Sequence, residues 1–331
     1  MSDSNLQILL DHRPEGWVEE NNFRVNAAPM PQPAEGELLI KTRWLSLDPY
    51  MRSRMDEKSY GDTVAVGGVM MGGTIGEVVE SRNPKFKAGD VVVGYQGWQA
   101  YGISDGAGLY KVPPLGIPEQ AFLGPVGMPG VTAWYGLLKI GAPREGETVV
   151  VSAASGAVGS VVGQLARIKG CRTVGIAGGK LKCDYVVNEL KFDACVDYKE
   201  PDFYQHLKAA TPKGIDINFE NVGGEILDAV MRRLNIGARI PLCGLISGYN
   251  EQPIPVRNPA ALLSARARLE GFIISDHMAL WPEAIRELGG HVAAGKIKYR
   301  ETIVEGLENA PKAFIGLLKG ENFGKQLVKV A

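Results

Sequence analysis

The stretch Val149-Val150-Val151-Ser152-Ala153-Ala154-Ser155-Gly156-Ala157-Val158-Gly159 constrains the fold more than any other part of this chain. It reads as a short, fully buried strand, a tight turn of small residues, and the start of a helix over residues 160–169. Val158, Val161, Val162, Leu165, Ala166 and Ile168 fall mostly on one helical face, and Gly170 is placed to end the helix. Such a crossover suits a dinucleotide. The strand aims the turn, the turn lacks side chains that would block a pyrophosphate, and the helix N-terminus offers free N–H groups. The glycine pattern is an imperfect G-x-G-x-x-G, with Ala154 in the first position and Gly156 and Gly159 in the other two. Small residues between a strand and a helix also serve tight packing alone, so the reading rests on strand and helix both being legible.

At 331 residues the chain is long for one core, and two domains are expected. Hydrophobic residues make up 45%, charged residues 22%, and the net charge is −1. A large core is therefore available, and nothing suggests electrostatic attraction to nucleic acid or an anionic membrane. No N-terminal signal pattern and no apolar run long enough to span a bilayer is visible. Cys171, Cys183, Cys195 and Cys243 are dispersed, without a C-x-x-C pair or a neighbouring His, which points to reduced thiols in a cytoplasmic protein rather than zinc or a disulfide framework.

Residues 1 to about 125 show little helical periodicity. Strands are expected over residues 37–47 and 72–80, and a Gly-Asp turn at residues 89–90 leads into a third. Short strands punctuated by Gly, Pro and Asp suggest a partly open β-barrel. Between them lies Leu47-Asp48-Pro49-Tyr50-Met51-Arg52, where Pro49 interrupts any regular element; by pattern alone Tyr50 is a packing aromatic in a structural turn. Residues 127–138 begin with turn residues and become a helix, the entry to a second domain. From residue 148 strands alternate with helices: strands at 173–177, 194–198, 215–219 and 238–242, helices at about 180–190, 203–210 and 225–234, then a strand at 271–274 and a helix near 282–294. This order predicts an α/β domain with a doubly wound parallel sheet. A closing strand near 326–330 returns to the first domain, so the expected division is 1–125 with 296–331, and 126–295.

An NAD site places Asp or Glu at the end of the second strand, about 20 residues beyond the glycine turn, to bind the ribose 2′-hydroxyl. Here that place is Ala177-Gly178-Gly179, followed by Lys180 and Lys182. A missing carboxylate removes repulsion of a 2′-phosphate and an ammonium attracts it, which favours NADP; the same lysines also read as the solvated first turn of a helix.

The segments 47–52, 128–133, 153–159 and Glu220-Asn221-Val222-Gly223-Gly224 together resemble the zinc-independent medium-chain dehydrogenase/reductases, specifically the prostaglandin reductase and leukotriene B4 12-hydroxydehydrogenase group, which includes plant alkenal reductases and bacterial curcumin reductases. The resemblance covers nearly the whole length, with the motifs in the family's order. It implies a GroES-like β-barrel domain, a Rossmann domain and a homodimer. It also implies NADPH-dependent reduction of a carbon–carbon double bond conjugated to a carbonyl, with a small enone or enal as substrate. Carried over residue by residue, Gly156, Ala157, Val158 and Gly159 line the pyrophosphate, Lys182 meets the 2′-phosphate and Tyr198 lies near the adenosine. Asn221 follows the fourth strand, and Cys243 and Tyr249 match positions near the ribose and nicotinamide. Phe272, Ile273 and Ile274 run past the nicotinamide, and Asn322 closes over the cofactor. Lys191 departs from the family, which commonly ends that helix with glycine.

Hydride delivery to the β-carbon leaves negative charge on the carbonyl oxygen, so the site needs a donor aimed at that oxygen. Tyr249 is the first candidate, since ligands of α/β sheets sit beyond the carboxyl ends of strands, and Tyr50 is the second. His12, His206, His277 and His291 are isolated. A zinc alcohol dehydrogenase carries Gly-His-Glu where this chain has Met70-Met71-Gly72, so no metal is expected. Tyr135 and Lys139 have the Tyr-x-x-x-Lys spacing of short-chain dehydrogenases but precede the dinucleotide turn. An NADPH:quinone oxidoreductase remains the nearest enzymatic alternative, and a non-catalytic NADPH-binding protein the alternative of another class.

Overall fold

The computed structural model describes residues 4–250 and 254–330. Residues 251–253 of the connection 249–262, and residue 331 of the closing segment, lie outside them. The chain divides into two compact units, Met1–Leu123 with Glu301–Ala331, and Gly124–Arg300.

The first unit runs β1 (Ser4–Leu10), β2 (Phe23–Pro29), β3 (Leu38–Leu47), the short helix α1 (Met51–Arg54), β4 (Thr74–Ser81), β5 (Val91–Gly94), β6 (Tyr101–Ser104) and β7 (Tyr110–Lys111). The second runs α2 (Met128–Tyr135), a π-helical turn at Gly136–Gly141, β8 (Thr148–Ser152), α3 (Gly159–Ile168), β9 (Arg172–Ala177), α4 (Lys180–Asn188), β10 (Ala194–Asp197), α5 (Phe203–Ala210), β11 (Ile215–Phe219), α6 (Gly224–Met231), β12 (Leu234–Leu242), α7 (Ala260–Ala265), β13 (Arg268–Gly271) and α8 (Trp281–Ala293). The chain then returns to the first unit with β14 (Glu301–Glu305), α9 (Ala310–Leu318) and β15 (Lys325–Lys329).

In the first unit β3 is the organising strand. It pairs with β4 along its length, and on its other side with β6 over residues Leu38 to Lys41 and with β15 over Trp44 to Leu47. One strand with two successive partners forces the sheet to split and curl, which is the partly open barrel of the GroES-like fold. Gly76 permits the close approach of β4 to β3, because a Cβ there would lie 2.4 Å from Ile40 Cγ2. The core is centred on Phe23 stacked on Trp98 at 5.5 Å, with Phe314 of α9 edge-on to both.

In the second unit the sheet is wholly parallel, in the order β10-β9-β8-β11-β12-β13. All five residues of β8 are buried, as its apolar run predicts. The order reverses between β8 and β11, so the Rossmann switch point lies where Ser152 and Glu220 leave the sheet. β12 starts at Leu234, four residues before the expected strand, and β13 ends at Gly271, where that strand was expected to begin. Gly271 pairs with Leu242, the last residue of β12. Beyond it Cys243 and Gly244 turn their N–H groups to the Glu220 carbonyl oxygen, so Phe272 has no strand to pair with. Residues 296–300 stay with this unit: Ile297 is buried in its core, and Gln164 of α3 holds both the N–H and the carbonyl of Lys298.

Candidate cofactor and substrate site

The turn after β8 is shaped by backbone. Ala153 adopts a left-handed φ of 50°, which folds the chain back so that the Gly156 N–H meets the Ala153 carbonyl oxygen at 2.9 Å. A Cβ on Gly159 would lie 2.4 Å from that same oxygen, so glycine lets α3 start this close to the turn. A Cβ on Gly156 would meet only the Ala153 oxygen, at 3.1 Å, and nothing further, so its absence clears space above the turn. The N–H groups of Ala157, Val158 and Gly159 take no partner among the described residues. They form the electropositive start of a ten-residue helix, which suits a pyrophosphate.

Across the switch point a carboxylate organises the neighbouring loop. Glu220 is fully buried, and its Oε1 accepts from Ser152 Oγ at 2.8 Å and from the N–H groups of Val222 and Gly223 at 2.7 and 2.8 Å. Its Oε2 accepts from Asn218 Nδ2 at 2.8 Å. Asn221 is held to Ser152 twice, its N–H on Ser152 Oγ and its Nδ2 on the Ser152 carbonyl oxygen. Burial and the Glu220 carboxylate push the Cys243 thiol up to about 12, so it stays protonated at neutral pH. Tyr249 folds back over this loop: a Cβ on Gly244 would lie 3.1 Å from the Tyr249 hydroxyl and 3.4 Å from the Asn221 carbonyl oxygen. Asn221, Cys243, Gly244 and Tyr249 thus gather beyond the carboxyl ends of β11 and β12.

At the end of β9, Gly179 has φ 92° and its N–H donates to Asp197 Oδ1 at 2.9 Å. The same oxygen accepts the Lys199 N–H at 3.0 Å, which sets the Tyr198–Lys199 corner against the glycine pair. A Cβ on Gly178 would lie 2.8 Å from Tyr198 Cε1 and 3.1 Å from Lys199 Cε. The two lysines after the glycines separate in role. Lys180 is exposed and paired with Asp184 one turn on, at 2.6 Å, as a solvated helix face. Lys182 is half-buried, and burial together with the Lys199 ammonium holds it below the ordinary lysine range. Two ammonium groups gathered where an NAD site would place a carboxylate fit a dinucleotide that carries a 2′-phosphate.

Phe272 is turned inward: its ring lies 5.4 Å from Tyr135 and 6.4 Å from Phe219, packed over Gly136. Its side chain packs against the core, with Ile273 exposed beside it and Ile274 half-buried against the core. Asn322 and Tyr50 belong to the first unit. Asn322 Nδ2 donates to the Gly324 carbonyl oxygen at 2.8 Å. Tyr50 opens α1, with the Arg54 guanidinium 5.7 Å from its ring centroid. Burial, then Tyr95 and the Asp48 carboxylate, raise its hydroxyl well above the ordinary 10.0, so it remains a hydrogen-bond donor.

Ser152 and Glu220 stand within the sequence motifs without a role of their own, and Lys199 lies outside them. Ser152 and Glu220 are signalled only as polar residues ending apolar strands, and Lys199 only as a cation following a strand. None of these signals says which neighbour the fold will supply. Where zinc dehydrogenases carry Gly-His-Glu, Met70 is buried and Gly72 is closed in by Leu45, Met51 and Trp98. Among the described residues no group of three or more His, Cys, Asp or Glu side chains is placed to hold a metal ion, so the donor set does not fit zinc.

Comparison with known proteins agrees with this architecture. Residues 6–112 match the family model described as the N-terminal domain of oxidoreductase, and residues 157–289 that described as zinc-binding dehydrogenase. The chain is 51% identical to the NADPH-dependent curcumin reductase of Escherichia coli, over 99% of this chain and 97% of that protein. It is 42% identical to the NADP(+)-dependent 2-alkenal reductase of Nicotiana tabacum, over 99% and 98%. The crystal structure of CurA from Vibrio vulnificus in complex with NADPH superposes with a TM-score of 0.94 at 48% identity, covering 98% of this chain and 99% of that one. With the barrel unit, the Rossmann unit and their motifs all in place, the chain belongs to the zinc-independent medium-chain dehydrogenase/reductases, in the group of the curcumin, alkenal and prostaglandin reductases.

Proposed function

We propose that this protein uses NADPH to reduce the carbon–carbon double bond of α,β-unsaturated ketones and aldehydes. The observation that carries the reading is the lysine pair Lys182 and Lys199 beside the end of β9, where Ala177, Gly178 and Gly179 carry no acid of their own, in a chain 51% identical to a curcumin reductase. The second unit is the NADP-binding domain and the first the catalytic one. When bound, the nicotinamide supplies a hydride to the substrate β-carbon.

The chain does the rest. Gly156 leaves room above the turn, Ala157, Val158 and Gly159 present their amides to the pyrophosphate, Lys182 takes the 2′-phosphate, and Tyr198 covers the adenosine end. Asn221, Cys243 and the backbone at Phe272, Ile273 and Ile274 line the ribose and nicotinamide end, and Asn322 closes over the cofactor. Tyr249 donates its hydroxyl proton in a hydrogen bond to the carbonyl oxygen, stabilising the enolate that forms there, while Tyr50 orients the substrate. The protein acts as a homodimer in the cytoplasm. The open outer edge of β13 supports self-association, and four free cysteines support a reducing compartment.

The test follows NADPH and NADH oxidation with a panel of alkenals, aryl enones and quinones, with product analysis. A saturated ketone or aldehyde formed mainly with NADPH is expected. Turnover of quinones alone would replace the reading with an NADPH:quinone oxidoreductase. NADPH binding without turnover across the panel would favour a non-catalytic role. Sedimentation velocity and cell fractionation test the dimer and the location.

A further inference from the structure

A buried ion pair in the first unit joins the two segments that carry its proposed site residues. Lys325 begins β15 and Asp48 follows β3, and the two strands are antiparallel neighbours with Gln326 opposite Leu47. Lys325 Nζ reaches past the strand end to Asp48 Oδ1 at 2.6 Å and to the Leu47 carbonyl oxygen at 2.8 Å. The side chains are 3% and 7% exposed. The second Asp48 oxygen accepts from Ser46 Oγ. Tyr50 lies two residues after Asp48, with only the conformationally restricted Pro49 between, and the Met51 N–H returns to the Asp48 carbonyl oxygen at 3.1 Å. Asn322 lies three residues before Lys325. Its segment is pinned by Thr302, whose Oγ1 donates to the Phe323 carbonyl oxygen at 2.8 Å and accepts the Phe323 N–H at 2.9 Å.

Ion pairs removed from water add little net stability, because desolvation offsets their attraction; directional bonds instead select one arrangement. Burial works to lower the Lys325 pKa, while Asp48 and Glu301 act against it. Glu301 also faces the lysine and has a buried Oε1 without a hydrogen-bond partner. Such a polar cluster is poorly explained by stability alone. We propose that Lys325 is a positioning residue which, through Asp48 and the Leu47 carbonyl, holds the Tyr50 and Asn322 segments in the arrangement that turnover requires. The proposal deepens the reductase reading and rests on it.

The test uses the full-length Lys325→Met/Asp48→Asn double variant, which removes both charges of the pair together, beside a Lys325→Met/Asp48→Asn/Glu301→Gln triple variant that also neutralises the carboxylate facing the lysine, and so keeps the fold within reach. The double variant is expected to melt within a few degrees of wild type and to lose at least tenfold in kcat with an enone. In a Tyr50→Phe background the same double change should cost clearly less than in wild type, because the part of its effect that runs through Tyr50 is already lost; a merely structural role would give additive losses. A kcat within twofold of wild type, or full additivity with Tyr50→Phe, would overturn the proposal. If wild type turns over no enone, the reductase reading fails separately. Amide exchange then decides: at least tenfold faster exchange over residues 48–54 and 321–325 in the double variant supports the clamp, and unchanged exchange refutes it.

Discussion

Replacing Glu220 should separate the worth of its hydrogen bonds from the worth of its charge. In Glu220→Ala, the donors Ser152 Oγ, Asn218 Nδ2 and the N–H groups of Val222 and Gly223 lose their acceptor. Ser152 can turn its hydroxyl to the Phe219 carbonyl oxygen, 3.4 Å away, leaving three donors stranded. At about 1–3 kcal/mol for each buried unsatisfied group, the loss is about 3 kcal/mol or more. Glu220→Gln is different. Its amide oxygen can keep the bonds that Oε1 makes, but its NH2 would face Asn218 Nδ2, donor against donor. Asn218 Oδ1 is buried without a partner, so rotating that amide by half a turn restores an acceptor toward the new side-chain amide and leaves the Asn218 NH2, in place of Oδ1, as the unpaired buried group. Neutral acceptors replace charged ones, and a buried charge is relieved, for a net cost of about 1–2 kcal/mol. Urea unfolding followed by circular dichroism, with NADPH titration by fluorescence, measures both variants beside wild type. Glu220→Ala should lose cofactor affinity as well as stability, because Asn221, Val222 and Gly223 depend on the carboxylate and on Ser152. Equal destabilisation by Ala and Gln, or an Ala variant within 1 kcal/mol of wild type, would refute the reasoning.

Other expectations follow from single residues. Lys182→Ala should lower kcat/KM for NADPH by about 10- to 100-fold, the worth of one charge-assisted hydrogen bond, while NADH changes by less than threefold; comparable losses with both cofactors would remove the 2′-phosphate role. Lys191, at φ 62°, occupies a left-handed position after α4, so Lys191→Gly should raise stability by up to about 1 kcal/mol in thermal melts, and a lowered melting temperature would contradict this. The raised Tyr50 pKa means the folded state keeps that proton above pH 10, where an unfolded chain releases it. Stability from this group is therefore full below pH 10 and declines above it, and wild type and Tyr50→Phe should show parallel rate profiles up to pH 10. A wild-type rate that titrates near pH 8 to 9 while the Phe variant stays flat would contradict the assignment.

The Rossmann half of the fold was legible because its signals are local. The burial of Val149, Val150 and Val151, the glycine at the start of α3, and α5 and β11 over the very residues expected all follow from side-chain periodicity and backbone sterics. Lys191 was already visible as a lysine where the family prefers glycine, and its left-handed φ supplies the reason. The barrel half was less legible. β1, β2, β14 and α9 carry no turn chemistry strong enough to announce them, and they are stabilised by distant partners such as the Phe23, Trp98 and Phe314 cluster.

The residues proposed to contact a dinucleotide were named from motif and resemblance, whereas those that hold them in place could not be. Glu220 needs Ser152 from a strand 68 positions away, and Lys325 needs Asp48 from 277 positions away. A buried charge is tolerable only when the fold delivers its partner, and no local pattern encodes that delivery. Phe272 makes the same point in reverse. Its place in the sequence follows the motif, but only the tertiary packing of Tyr135, Gly136 and Phe219 decided that its ring turns inward.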